Sequence, residues 1–143
     1  MPARARREDA LFAGLCALAV VNIGLAILMA AAPHAFYSAI GPFGARNDHY
    51  IRDVATFQAA LGVGLAIAAW RPAWRLPVLA VTTVQYALHA VNHLLDISTA
   101  HPAWKGYLDF FSLAAATALL LWLLALARTQ ARIPTPRSEG DGP

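Results

Sequence analysis

Four long apolar stretches decide what this chain can fold into. They cover residues 10–32, 50–70, 76–95 and 107–127. Each has about the 20 residues that an α-helix needs to cross the hydrocarbon core of a bilayer, where a helix satisfies its own backbone hydrogen bonds. The composition agrees, because 59% of the residues are hydrophobic and only 13% are charged. The sequence therefore predicts an all-α membrane protein, an antiparallel bundle of four transmembrane helices in contact with the lipid bilayer.

The remaining segments are short. Residues 1–9 are a basic N-terminus, residues 10–127 form the membrane domain, and residues 128–143 are rich in Pro, Gly and charge, which is typical of a disordered tail. The alternative for the first stretch is a cleaved signal peptide, because "MPARARRE" resembles a basic n-region. Against it, the apolar part is longer than the roughly 7 to 15 residues of a usual h-region.

Positive charge is distributed unevenly between the two sides of the predicted bundle. On one side lie Arg4, Arg6, Arg7, Arg71, Arg75, Arg128, Arg132 and Arg137, and on the other lie Arg46, Arg52 and Lys105. Because cytoplasmic loops carry the excess of Lys and Arg, both termini are expected in the cytoplasm. These basic residues flank apolar segments and form no single patch, so the net charge of +3 does not indicate nucleic-acid binding.

Polar side chains collect near the predicted outer ends of the second, third and fourth helices. Residues three or four apart share a helix face. The group at the second helix comprises Asn47, His49, Arg52, Asp53 and Thr56. The group on the third helix comprises Gln85, His89, Asn92, His93 and Asp96, and Asp109 lies in the first turn of the fourth.

Charged groups at membrane depth are costly and usually face a bundle interior or a wet cavity. We therefore expect the two polar stripes to face each other and to form one site in the outer half of the bundle. Arg52 is predicted to pair with Asp96 or Asp109, and Asp53 to accept from His89 or from His93. The alternative is a structural role, in which these residues reach the headgroups or lock the helices together. Asn22 and Gln58 are interpreted as such interhelical hydrogen-bonding groups, and Gly62 and Gly64 as close-packing positions.

Three kinds of ligand suit such a site. His89 and His93 are spaced i, i+4 and can reach one metal ion, with His49 or Asp53 as a third ligand. Haem needs histidines on opposing helices, which His49 and His93 supply. A quinone or lipid-like molecule needs an apolar slot with a few polar groups at its mouth. No motif selects one of these cofactors, and the sequence contains no G-x-S-x-G or phosphate-binding loop.

Residues 33–53 form a long connection between the first two predicted spans. Phe36, Tyr37, Ile40 and Phe43 can form an amphipathic segment that covers the polar site, with Asn47 or Asp48 as the N-cap of the second helix; a merely solvated connector is the alternative.

The motifs "PHAFY", "GP" and "NDHYIRDV" resemble those of small DoxX-like membrane proteins of bacteria, common in actinobacteria. The matching positions are Pro33, Phe36, Tyr37, Asn47, His49, Arg52 and Asp53, and the resemblance covers roughly residues 10–127. It implies a four-helix protein of the bacterial inner membrane. It implies no particular reaction, although the DoxX name comes from a quinone-linked oxidoreductase subunit.

The sequence thus favours a binding or accessory membrane subunit, with a quinone- or lipid-linked role as one form of it. A homo-oligomer or a membrane complex is the expected setting. The second hypothesis is a small membrane enzyme or redox protein that uses His and Asp as acid and base, or as metal or haem ligands.

Overall fold

The computed structural model describes residues 2–131, which are all-α and form five helices. The helices are α1 (Pro2–Ala31), α2 (Pro33–Ala39), α3 (Asp48–Trp70), α4 (Pro72–Leu95) and α5 (Ala103–Ala131). Residues 128–131 belong to α5, so the start of the predicted disordered tail is helical instead. The rest of that tail, residues 132–143, lies outside the described residues.

Three of these helices, α1, α3 and α5, are long and apolar enough to cross a membrane. They indicate a multi-pass membrane protein in contact with lipid. The third predicted span, which corresponds to α4, does not meet the same criterion. Its 24 residues extend over about 36 Å, so length is sufficient. Its mean hydropathy is lowered by the polar residues Thr82, Thr83, Gln85, His89 and Asn92.

The long helices pack mainly as two pairs. The most extensive contacts join α1 to α3 and α4 to α5, while α3 and α4 touch over a smaller area and α1 barely touches α5. A single residue, Arg71, joins α3 to α4, so these two helices run in opposite directions. We call this end of the molecule the Arg71 end, and the opposite end, which carries α2, the α2 end.

Small residues set the close contact between α1 and α3. Ala55, Gly62 and Ala69 recur every seven residues on α3 and are all buried. A Cβ atom on Gly62 would lie 2.6 Å from Ile23 Cγ1 and 3.0 Å from the Ile23 backbone nitrogen. The prediction that Gly62 is a close-packing position is confirmed. Gly64 faces Val78 of α4 at an ordinary van der Waals distance.

Arg75 links all four long helices at the Arg71 end. Its guanidinium donates to Glu8 of α1 at 2.8 Å and to Gln130 of α5 at 3.3 Å, and it also reaches the Ala68 and Ala69 carbonyls of α3. The Arg75 side chain is only 12% exposed. Next to Arg75, on the side towards the α2 end, the interior is filled by fully buried leucines from all four long helices: Leu11, Leu15, Leu65, Leu79, Leu120 and Leu123. The interior of this half of the molecule is therefore an apolar core.

Candidate functional site

The α2 end contains a cavity of about 640 Å³ between the two helix pairs. Apolar side chains of α1 and α3 form much of its wall, including Leu25, Met29, Ile51 and Val54. Polar groups enter it mainly from α4 and α5, and Gln58 enters it from α3. The volume lies within the roughly 300 to 1,000 Å³ of small-molecule sites, which are mostly apolar and carry a few polar groups that orient the ligand.

The segment after α1 covers this cavity. Phe36 and Tyr37 of α2, and Ile40 and Phe43 beyond it, line the cavity. The Phe43 ring meets the His93 ring edge-on, with centroids 4.8 Å apart. The prediction that this aromatic segment covers the polar site is therefore confirmed. The alternative, a solvated connector, does not describe these four side chains.

Specific hydrogen bonds hold this covering segment in place. The Tyr37 hydroxyl donates to the carbonyl of Gly44, whose φ of 60° is left-handed. Lys105 of α5 donates from Nζ to the Ser38 carbonyl at 2.6 Å. Asn47, one of the two predicted candidates, is the N-cap of α3. Its Oδ1 accepts from the His49 and Tyr50 amides at 3.1 and 3.3 Å.

Five of the predicted site residues belong to the polar wall of the cavity. They are Asn47, Gln85, His89, His93 and Asp109. His89 and His93 approach most closely, with 3.1 Å between their Nε2 atoms, a hydrogen bond in which one ring donates and the other accepts. The i, i+4 spacing places both imidazoles on one face of α4, as predicted, and there they contact each other directly.

The other five predicted site residues lie elsewhere. Those on α3 are His49, Arg52 and Asp53, and those at the end of α4 are Asn92 and Asp96; all five are exposed and none lines the cavity. The predicted ion pairs from Arg52 to Asp96 or Asp109 do not form, and the partner of Asp53 is His49, at 3.5 Å on the same helix. Neither His89 nor His93 bonds to Asp53. The expectation that the two polar stripes face each other is wrong.

The rotation of α3 explains this outcome. The small-residue stripe at Ala55, Gly62 and Ala69 is held against α1. With 3.6 residues per turn, this orientation places Ile51, Val54 and Gln58 towards the cavity and the charged residues on the opposite side. Close backbone packing favours helix association in lipid, and here it determines which face of α3 points towards the cavity.

Neither the predicted metal set nor the predicted haem pair is assembled. His49 lies on the outer face of α3, away from His89 and His93. Across residues 2–131, no three His, Cys, Asp or Glu side chains are grouped so that they could hold a metal ion. His49 and His93 do not face each other, as a haem held between them would require.

A buried hydrogen bond joins α1 to α4 beside the cavity. Tyr86 of α4 donates from its hydroxyl to Oδ1 of Asn22 on α1 at 3.1 Å, and Asn22 Nδ2 donates to the Leu18 carbonyl at 2.7 Å. Gln58 lies beside the same hydroxyl. Asn22 is fully buried and Tyr86 is 5% exposed. The interhelical role predicted for Asn22 is confirmed.

Sequence reasoning missed three polar contributors to the cavity. Tyr50, Tyr86 and Ser112 all line it. Tyr86 lies three residues before His89 and seven before His93, so the helical spacing of the α4 stripe was the signal that pointed to it. Ser112 lies three residues after Asp109, on the same face of α5.

Comparisons with known proteins identify no family, since no family model, no curated protein and no solved structure matches this chain.

Proposed function

We propose that this protein binds an amphipathic small molecule, quinone-like or lipid-like, taken from the bilayer. The observation that carries the proposal is the cavity at the α2 end, with apolar walls and a cluster of polar side chains on one side. An isoprenoid or acyl chain would pack against residues such as Leu25, Met29 and Val54. Its head group would face Gln85, His89 and Asp109.

A binding test can separate the cavity from the surface histidine. The purified protein in nanodiscs is titrated with a benzoquinone carrying a ten-carbon chain and, anaerobically, with the corresponding hydroquinone. Binding is followed by native mass spectrometry. His89→Leu should weaken binding on the order of tenfold or more, because it removes a polar group of the cavity wall. His49→Leu, on the exposed face of α3, is the matched control and should bind like the wild type. Equal binding by the two variants would refute the proposed site.

The proposal includes α4 as a fourth transmembrane helix. It is joined to one candidate span, α3, through Arg71 alone, and it packs along another, α5. If α3 and α5 both cross the bilayer, α4 must lie within the bilayer beside them. We therefore propose residues 10–127 as a four-span membrane domain, between the basic residues 1–9 and a C-terminal tail. The DoxX-like resemblance is consistent with this fold.

Cysteine labelling tests this topology. In a Cys16→Ala background, Ala73→Cys marks the turn between α3 and α4, and Ser98→Cys marks the turn between α4 and α5. If α4 crosses the inner membrane, a membrane-impermeant maleimide labels Ser98→Cys in intact cells and labels Ala73→Cys only after lysis. The same result places both termini in the cytoplasm, as the distribution of Arg residues favours. Labelling of both positions from one side would refute the fourth span.

A second candidate function is acid–base or redox chemistry in the same cavity. The observation in its favour is the hydrogen-bonded His89–His93 pair in a cavity that Asp109 also lines. Histidines titrate near neutral pH and can pass a proton along such a pair. An absorption spectrum and a metal analysis of the protein purified in mild detergent test this branch: a bound chromophore or metal lost in His89→Leu supports it.

A further inference from the structure

Three side chains of the cavity wall contain enclosed polar atoms without a hydrogen-bond partner. They are Gln85 Oε1, His93 Nδ1 and Asp109 Oδ2, and all three residues line the cavity. An enclosed polar atom without a partner costs stability, and native proteins seldom keep several of them together. Their concentration around one cavity indicates that an occupant completes these bonds.

Asp109 shows which kind of bond is missing. An ionised carboxylate only accepts hydrogen bonds. Neither nearby candidate cation makes an ion pair with Asp109: Lys105, one helical turn away, donates from Nζ to the Ser38 carbonyl, and Arg52 is exposed on α3. No ion pair to Asp109 forms within the part of the chain that the structure describes. The amide oxygen of Gln85 is likewise an acceptor, and His93 Nδ1 can take either role. The unpartnered oxygens of Asp109 and Gln85 therefore need hydrogen-bond donors from an occupant.

Formal charge points in the same direction. With the histidines neutral, Asp109 is the one charged residue among those that line the cavity. A phosphate or carboxylate head group would meet a like charge in a medium of low dielectric constant, which disfavours it strongly. A quinone head group offers carbonyl oxygens, which accept and do not donate.

Building on the binding function proposed above, we infer that the ligand is a neutral amphiphile whose head group donates hydrogen bonds from hydroxyl groups. A quinol or a long-chain alcohol meets this requirement, whereas a quinone or an anionic lipid does not. The hydroxyl donates to the Asp109 carboxylate, a charge-assisted bond that is stronger than one between neutral groups.

The test compares ligands that share one skeleton. The decyl-substituted benzoquinone, its hydroquinone and the dimethyl ether of that hydroquinone are titrated anaerobically into the full chain in nanodiscs, with decanol and decyl methyl ether as a second pair. We expect the hydroxyl compound of at least one pair to bind on the order of tenfold more tightly than its ether, and the hydroquinone or decanol to bind more tightly than the quinone.

Asp109→Asn then tests the acceptor. It should remove most of the preference for hydroxyl over ether, while Asp96→Asn, an exposed carboxylate outside the cavity, should keep it. Ethers or quinone that bind as tightly as the hydroxyl compounds in the wild type would overturn this inference and leave the proposed binding function standing. If none of the five compounds binds, the proposed function and this inference both fail. The wild-type series distinguishes these outcomes even where Asp109→Asn does not fold.

Discussion

Replacing Gly62 by alanine should destabilise the protein, although alanine is the better helix former. The added Cβ would lie 2.6 Å from Ile23 Cγ1, 3.0 Å from the Ile23 backbone nitrogen and 3.2 Å from Asn22 Cβ. A side chain can rotate away, but the α1 backbone cannot move without separating α1 from α3. Overpacking of this kind costs about 1 to 3 kcal/mol. In Gly62→Ala this cost is partly offset by the gain of about 1 kcal/mol in helix propensity.

Two other glycines provide matched controls. Gly24 of α1 has open space where a Cβ would be placed, and Gly64 of α3 would make only an ordinary contact with Val78 at 3.6 Å. Both Gly24→Ala and Gly64→Ala receive the same gain in propensity without the steric cost. The difference between Gly62→Ala and either control therefore isolates the clash, and we expect it to be about 1 to 3 kcal/mol.

The measurement is reversible unfolding in mixed micelles, titrated with SDS and followed by circular dichroism. If Gly62→Ala unfolds at the same SDS fraction as the two controls, the close approach of α1 and α3 is refuted. The explanation given for the rotation of α3 would fail with it, because that rotation depends on the small-residue stripe.

Two further predictions concern the polar contacts that join the helices. In a double-mutant cycle, Tyr86→Phe and Asn22→Ala should show a coupling free energy of about 1 kcal/mol, and additive effects in SDS unfolding would contradict their hydrogen bond. Arg75→Ala should cost about 2 kcal/mol or more by the same measurement, because charge-assisted bonds to three other helices are lost. The matched control Arg71→Ala, on an exposed arginine, should stay within about 0.5 kcal/mol, and equal losses in the two variants would argue against the Arg75 contacts.

The helical architecture could be predicted from the sequence because length and apolarity alone limit what a chain can do in lipid. The helices α1, α3 and α5 follow the predicted apolar stretches, and the structure extends them at their ends. Hydropathy identifies α4 less well, since Gln85 and His89, which line the cavity, are among the polar residues that lower its average.

The candidate site was only partly predictable, for a physical reason that His89 and Arg52 illustrate. The spacing of His89 and His93 fixes their shared face because both belong to one helix. The relation between Arg52 and that face depends on how two helices rotate against each other, and the period of a single helix contains no such information. Gly62 did indicate how α3 is rotated, because a residue without a side chain marks where two helix backbones can approach closely.

The two ends of the molecule differ in the polarity of their interiors. Buried leucines fill the half that ends at Arg75, and the cavity with its polar side chains lies in the other half. The guest of the proposed function would therefore keep its head group at the α2 end, where the polar groups of the cavity lie. The proposal thus implies one fixed orientation of that guest relative to the helices, with its chain beside the apolar side chains of α1 and α3.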